Sequence, residues 1–351
     1  MSLKNEKKVI SNLKKCYSIA PLFYQGKDHF LVAAEKQDPC YLFDMDGNMV
    51  DKLWDKPGGV MNMVQVPGTD GQFLATWKFY SPNDSKEACI VVVTPKTEGL
   101  WEVRTLVSLP HVHRFDLLER NGQVYLIACT LKSGHSHPDD WSMPGKVYVA
   151  KLPADLSCFD EENQLQLTVL KDQMLKNHGY YRVYDMGIPA AVVSCSKGVF
   201  EFLPPEPYTE EWEIRQLLDT PASDAVLVDL DEDGEDELCV LSPFHGEKIS
   251  IYKKCFGAYM KVYEYPEDME FLHAIYGGEI CGRPGFVTGN RKGKRRLLLF
   301  RWSSEAGTYT CDVIDEGRGP ANVFHYMHGG KDVLIAANRE TDEIAMYTFS
   351  E

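Results

Sequence analysis

Residues 30–45 read FLVAAEKQDPCYLFDM: an apolar strand ending in small residues, a polar loop, then a second apolar strand. The same order returns in LIACTLKSGHSHPDDWSMPGKVYVAKL (126–152), FVTGNRKGKRRLLLF (286–300) and VLIAANRETDEIAMYTF (333–349). FLATWKFYSPNDSKEACIVVV (73–93), AAVVSCSKGVFEFL (190–203) and LCVLSPFHGEKISIYK (238–253) fill the gaps, which makes seven copies. The period is about 45–50 residues, stretched near Pro153–Lys176 by an insertion. A strand precedes each copy and one usually follows, often with Trp or Tyr, as at Trp54, Trp101, Trp212, Tyr259 and Tyr309.

Four strands per repeat, seven times over, predict an all-β chain: a seven-bladed β-propeller of four-stranded antiparallel blades. A pair of β-sandwiches would use similar strands but would not explain seven copies. The last repeat has only three strands before the chain ends, and residues 8–13 (KVISNL) precede the first complete repeat. That segment is expected to close the ring as the outer strand of the last blade, which hides an edge an open array would expose. The reading is one propeller domain over 1–351, with blades starting near 16, 61, 113, 180, 224, 273 and 322.

Composition agrees. Of 351 residues, 44% are hydrophobic and 11% aromatic, which excludes disorder. Lys and Arg number 37 against 52 Asp and Glu, a net charge of −15 that opposes nucleic acid and anionic membranes as partners. No apolar run reaches the roughly 18–20 residues of a membrane helix. The N-terminus has no signal-peptide core and the 10 cysteines form no CxxC pair, so the expected location is cytoplasmic. Propellers with small insertions favour a monomer, though the oligomeric state stays open.

Sorting polar residues by repeat position gives the site. Loops entering innermost strands share a face with loops joining second and third strands. The first set holds Asn62, His111, His113, His178, Ser223, Asp224, His273, Asn322 and His325. The second holds Glu35, Lys78, His135, His137, His245, Arg291 and Arg339. Imidazoles gathered at a channel mouth can bind a metal or move protons. In PHVHRFD (110–116) the HxH spacing is expected to put both rings on one strand face, about 6–7 Å apart. The transition-metal candidates, zinc or similar, are His111, His113, His178 and His273. His135, His137, Tyr180 and Tyr181 are the candidate bases. Lys78, Arg291 and Arg339, with Asn62, Asn322 and His325, are the candidate substrate-binding residues.

A different motif lies in VDLDEDGEDEL (228–238). Asp229, Asp231 and Asp233 alternate ahead of Gly234 and Glu237, an arrangement that wraps oxygens around Ca²⁺ or Mg²⁺ in a structural role. Its spacing resembles the calcium loops of FG-GAP/VCBS-type propeller repeats, with Glu237 where aspartate is more usual. The histidine face is similar, more loosely, to the propeller domain of aldos-2-ulose dehydratase and to metal-using propeller polysaccharide lyases. The resemblance implies elimination chemistry on a small or oligomeric sugar: a metal-dependent carbon–oxygen lyase or dehydratase. Two other readings stay open, a non-catalytic scaffold binding protein or sugar, and a metal-dependent hydrolase or lactonase.

Overall fold

In a computed structural model, residues 4–56, 58–97, 99–206 and 208–350 are described. They form seven four-stranded antiparallel sheets, and no helix occurs among them. The first strands of the blades are Cys16–Tyr24, Met63–Gln65, Val112–Arg120, Gly179–Asp185, Asp224–Val228, Leu272–Ile280 and Asn322–His328. Each touches the first strand of both neighbouring blades, all the way round. First strands therefore line a central channel, and fourth strands lie outermost. This is the seven-bladed propeller.

The strand pattern follows from position. Second strands are covered by neighbouring blades on both faces and read as unbroken apolar runs rather than alternating ones. In blade 1, Phe30 to Ala34 are all fully buried. Outer strands have one open side, so Met49–Trp54 has three of its six residues exposed and only Leu53 buried. The small residues near the ends of second strands, such as Ala33–Ala34 and Ala336–Ala337, are fully buried.

Closure is made by Lys4–Asn12, which pairs antiparallel with Glu343–Ser350 in blade 7, from Lys4 opposite Ser350 to Asn12 opposite Glu343. The closing strand begins four residues earlier than the hydrophobic pattern indicates. Its first residues are polar and half-exposed, so burial leaves no mark there. The insertion in blade 3 runs from the third strand, Val147–Lys151, to the fourth, Thr168–Lys171. It buries Leu156, Phe159 and Leu165, and Arg104 Nη1 donates to the Leu156, Ser157 and Phe159 carbonyls (3.3, 2.6 and 3.0 Å). Among the described residues, no helix is long and apolar enough to cross a membrane.

Candidate functional site

At one end of the channel each blade contributes a buried residue from the start of its innermost strand: Tyr17, Met61, His113, His178, Ser223, His273 and Ala321. Adjacent blades are stitched through these positions. His113 Nδ1 bonds the His178 carbonyl (3.1 Å), His178 Nδ1 the Ser223 carbonyl (3.1 Å), and His273 Nδ1 the Ala321 carbonyl (2.6 Å). A carbonyl can only accept, so each proton is assigned to Nδ1 and each Nε2 keeps its lone pair. A second contact partner oriented this way is what metal-ligating histidines use to fix their tautomer.

A fourth imidazole reaches the ring from above. His245 lies in the loop between the second and third strands of blade 5, in a left-handed conformation (φ 47°). Its turn closes through Gly246 N–H to the Pro243 carbonyl (2.7 Å). A Cβ on Gly246 would lie 2.4 Å from the Ser242 oxygen and 2.5 Å from Pro243, so only glycine fits. The His245 ring is clamped between Phe244 (centroids 4.0 Å apart) and Phe271 (4.3 Å), nearly parallel to both. Its Nε2 is 3.2 Å from His178 Nε2. Ligand atoms of His178, His245 and His273 all lie within 4.8 Å of one another. Two nitrogens bound about 2.05 Å from a tetrahedral ion stand roughly 3.3 Å apart, so the pair already has ligand spacing.

Tyr17 completes the cluster. Its hydroxyl is 2.9 Å from His273 Nε2 and 3.4 Å from His113 Nε2. His113 also stacks on His178 at 4.5 Å. Burial holds His113, His178 and His273 well below the usual histidine range; Arg114 adds to this for all three, and Arg291 for His273. Burial, then Arg291, Lys176 and Lys292, brings His245 to about 3. All four rings are therefore neutral at physiological pH, the form that ligates. Burial pushes the Tyr17 phenol up to about 12, so it keeps its proton. Tyr17 holds the equivalent position in blade 1, where the run CYSIAPLFY makes it read as one more apolar strand residue rather than a polar group at the mouth. His245 was on the expected face but not among the ligand candidates, since a loop position gives no register.

The other expected residues separate from this centre. His111 does not share a face with His113. It sits before the strand in a left-handed turn (φ 62°), and a bulge at His113 breaks the alternation. His111 instead meets His135, centroids 5.1 Å apart, with Asp84 Oδ1 3.2 Å from His135 Nε2. His137 is exposed. Tyr180 and Tyr181 lie deeper in the channel. Tyr180 donates to Asp116 Oδ2 (2.7 Å), and burial and that carboxylate hold its phenol well above the ordinary value. Tyr181 donates to the Gly277 carbonyl (2.9 Å), and burial raises it to about 12. With Asn62, Arg114, Asp224 and Asn322 they line a cavity of about 100 Å³. Burial raises the Asp224 carboxyl to about 7.

Asn62 and Asn322 pin blades together, donating to the Phe115 (2.6 Å) and Tyr17 (2.8 Å) carbonyls. His325 is not at the histidine mouth. It points into the opposite end of the channel, held by Asp332 (2.7 Å) and Tyr276 (2.9 Å), because strand alternation and chain direction carry it away from the loop. Lys78 holds a left-handed turn through its N–H to the Gly58 carbonyl (3.1 Å). Arg291 and Arg339 converge on Glu340, and Arg339 also binds Glu35.

The acidic loop holds an internal cation. Lys253 Nζ is 2.6 Å from Asp231 and Asp233 and 3.4 Å from Glu237. Asp229 is turned to the loop backbone, accepting from Asp233 and Gly234 N–H (3.1 and 2.9 Å). Asp229, Asp231 and Glu237 still have oxygens within 4.8 Å of one another. The ammonium stands among the carboxylates to which the spacing assigned calcium or magnesium. Lys253 follows two strands later, where sequence spacing gives no sign of it.

No family model matches the chain, and no curated protein matches it. Solved structures do. A streptogramin B lyase aligns over 100% of this chain and 99% of its own, at 14% identity and TM-score 0.58. The Cps50 (Swd1) propeller of Myceliophteria thermophila aligns over 98% and 100%, at 10% identity and TM-score 0.59. A Dos1 propeller aligns over 95% and 77%, at 9% identity and TM-score 0.55. The likeness is one of fold. A lyase stands among these neighbours beside propellers not named as enzymes, and none bears on the FG-GAP or dehydratase resemblance.

Proposed function

We propose that the histidine mouth is a divalent-metal centre and that the protein is a lyase removing water from a small hydroxylated, carbonyl-bearing sugar derivative. One observation carries this reading: three neutral imidazoles, buried His178 and His273 and half-buried His245, converge, and two of them have their lone pairs fixed inward by backbone carbonyls. The donor set is all nitrogen, which suits zinc and its first-row neighbours rather than calcium. His245 ligates once its proton resides on Nδ1. A bound divalent ion would polarise a carbonyl or carboxylate and acidify the neighbouring C–H.

The chain's own residues handle the protons. With His273 Nε2 engaged, the Tyr17 hydroxyl retains one imidazole partner, His113. That pair takes the proton from carbon and returns it to the departing hydroxyl, which leaves as water. His113 is neutral and its Nε2 lone pair faces the Tyr17 hydroxyl, so it is the base. Tyr17, whose phenol stays protonated to about 12, is the carrier and acid. The expected bases are less favoured: His135 meets His111 and Asp84 instead, His137 is exposed, and Tyr180 and Tyr181 are hydrogen-bonded deeper in the channel.

The test is elemental analysis of protein purified without a polyhistidine tag or chelating column, beside His178→Ala and His245→Ala variants. Loss of water from sugar acids and ketosugars is followed in parallel by mass spectrometry. The expected result is near-stoichiometric zinc, manganese, iron or nickel that falls in both variants together with turnover. Metal-free protein that binds none of these ions would overturn the reading and favour a scaffold. Metal with hydrolysis of lactones in place of water loss would move it to the hydrolase class.

A further inference from the structure

Beside the metal-ligand candidates lies a pocket of about 320 Å³ lined by Phe271, Arg291, Lys292, Arg295, Arg339 and Glu340. Four cations in one pocket of a chain carrying −15 overall is a strong local reversal of charge. The four are not equivalent. Arg291 meets Glu340 through Nε and Nη2 (3.0 and 2.9 Å), and Arg339 meets Glu340 (2.7 Å) and Glu35. Two arginines against two glutamates make a neutral, rigid floor. Lys292 and Arg295 form no ion pair with a carboxylate among the described residues. The Lys292 ammonium stands 5.2 Å over the Phe271 ring, and Arg295 is half-buried on a left-handed turn (φ 51°). These are the two cations of the pocket that stand outside the glutamate network, with the Glu270 carboxylate beside Gly293.

The pocket is joined to the centre by one ring. Phe271 stacks on His245 at 4.3 Å on one side, and Arg291 lies 4.7 Å over it. A group held at Lys292 and Arg295 therefore sits one aromatic ring away from the imidazole that meets His178. Resting on the metal-centre reading, we infer that this pocket is an oxyanion subsite: the substrate is an acidic sugar derivative whose phosphate or carboxylate is bound by Lys292 and Arg295, while its reacting end lies at the histidines. A guanidinium presents a planar fork to either oxyanion, and an ammonium adds a point charge. The −15 surface repels anions elsewhere, so this mouth is where field lines would draw one in.

The measurement is calorimetric titration of the protein, with and without added zinc, with inorganic phosphate, glucose 6-phosphate, gluconate and glucose, repeated on a Lys292→Ala/Arg295→Asn double variant. Asparagine tolerates the left-handed backbone at 295. Both side chains are outside the core, and circular dichroism with metal content checks that the variant folds and keeps its centre. Glucose 6-phosphate or gluconate should bind at least about tenfold more tightly than glucose, and the double variant should lose about tenfold or more. Preference for glucose 6-phosphate and phosphate assigns a phosphate; preference for gluconate assigns a carboxylate. Binding of glucose as tight as either acid, or acid binding unchanged in the variant, overturns the subsite. Metal bound with no acid binding overturns the subsite alone. Acid binding lost in the variant, in protein that takes up no metal, sustains the subsite and overturns only the centre.

Discussion

His178 Nε2 and His245 Nε2 stand 3.2 Å apart although 67 residues separate them in the chain. One comes from the residue just before the innermost strand of blade 4, the other from a loop of blade 5. The contact depends on the tight turn at Gly246. Gly246→Ala would force Ser242 or Pro243 to move and carry His245 with it. We expect metal content to fall at least about tenfold and stability to drop by about 2 kcal/mol. Elemental analysis and urea denaturation of the variant check both.

Tyr17→Phe removes only the hydroxyl shared by His273 and His113. Metal occupancy should be unchanged, while kcat for water loss falls by about 10²-fold or more. Paired metal analysis and steady-state kinetics separate this from a structural effect, which would lower both.

Stability of the metal-free protein should decline in acid with a steep slope. Burial holds His113, His178 and His273 well below the ordinary range, and His245 at about 3. Unfolded, each titrates near 6.5. Between those values the unfolded chain binds protons that the folded chain refuses. The histidine contribution is therefore complete above about pH 6.5 and is lost as pH falls toward 3, by about 1.4 kcal/mol per unit for each ring. Urea denaturation at pH about 7.5, 6 and 5 measures the slope, and His113→Gln should remove one ring's share.

The acidic loop of blade 5 should be indifferent to calcium while Lys253 is present. Chelation of the wild-type protein is expected to leave its melting temperature unchanged. Lys253→Met leaves Asp231, Asp233 and Glu237 without their cation and should cost about 2 kcal/mol. Millimolar calcium should restore the variant, with thermal melts as the readout.

Deleting residues 4–12 should expose the Glu343–Ser350 edge, since the whole outer strand of blade 7 is lost. Expected outcomes are a lower melting temperature and concentration-dependent association, seen by size-exclusion chromatography.

The ring architecture was legible because burial writes itself into composition. A second strand packed on both faces must be apolar throughout, and seven such runs at even spacing admit few folds. The placement of His113, His178 and His273 on one face followed from the same repeat logic, since a residue starting an innermost strand has one place to go. Position along the strand is a finer matter. The bulge at His113 and the left-handed turn at His111 undo the alternation that HxH implies, and neither leaves a sequence mark. His325, three residues into its strand, is carried to the far mouth. Lys253 reaches the Asp231 carboxylate across the strand pairs of its own blade, a tertiary contact that local spacing cannot encode. Arg291 and Arg339 read as free cations until Glu340 and Glu35 are placed beside them.

The carbonyls that orient His113, His178 and His273 each belong to the following blade. A repeat array is ordinarily modular: units can be duplicated, exchanged or recombined with little penalty at the joints. Here the tautomer of each of these three rings is dictated by its successor's backbone, so the unit of inheritance for the centre is the joint between blades rather than the blade. Grafting blade 4 into another propeller would transfer His178 but not its tautomer, unless the first residues of blade 5 travelled with it.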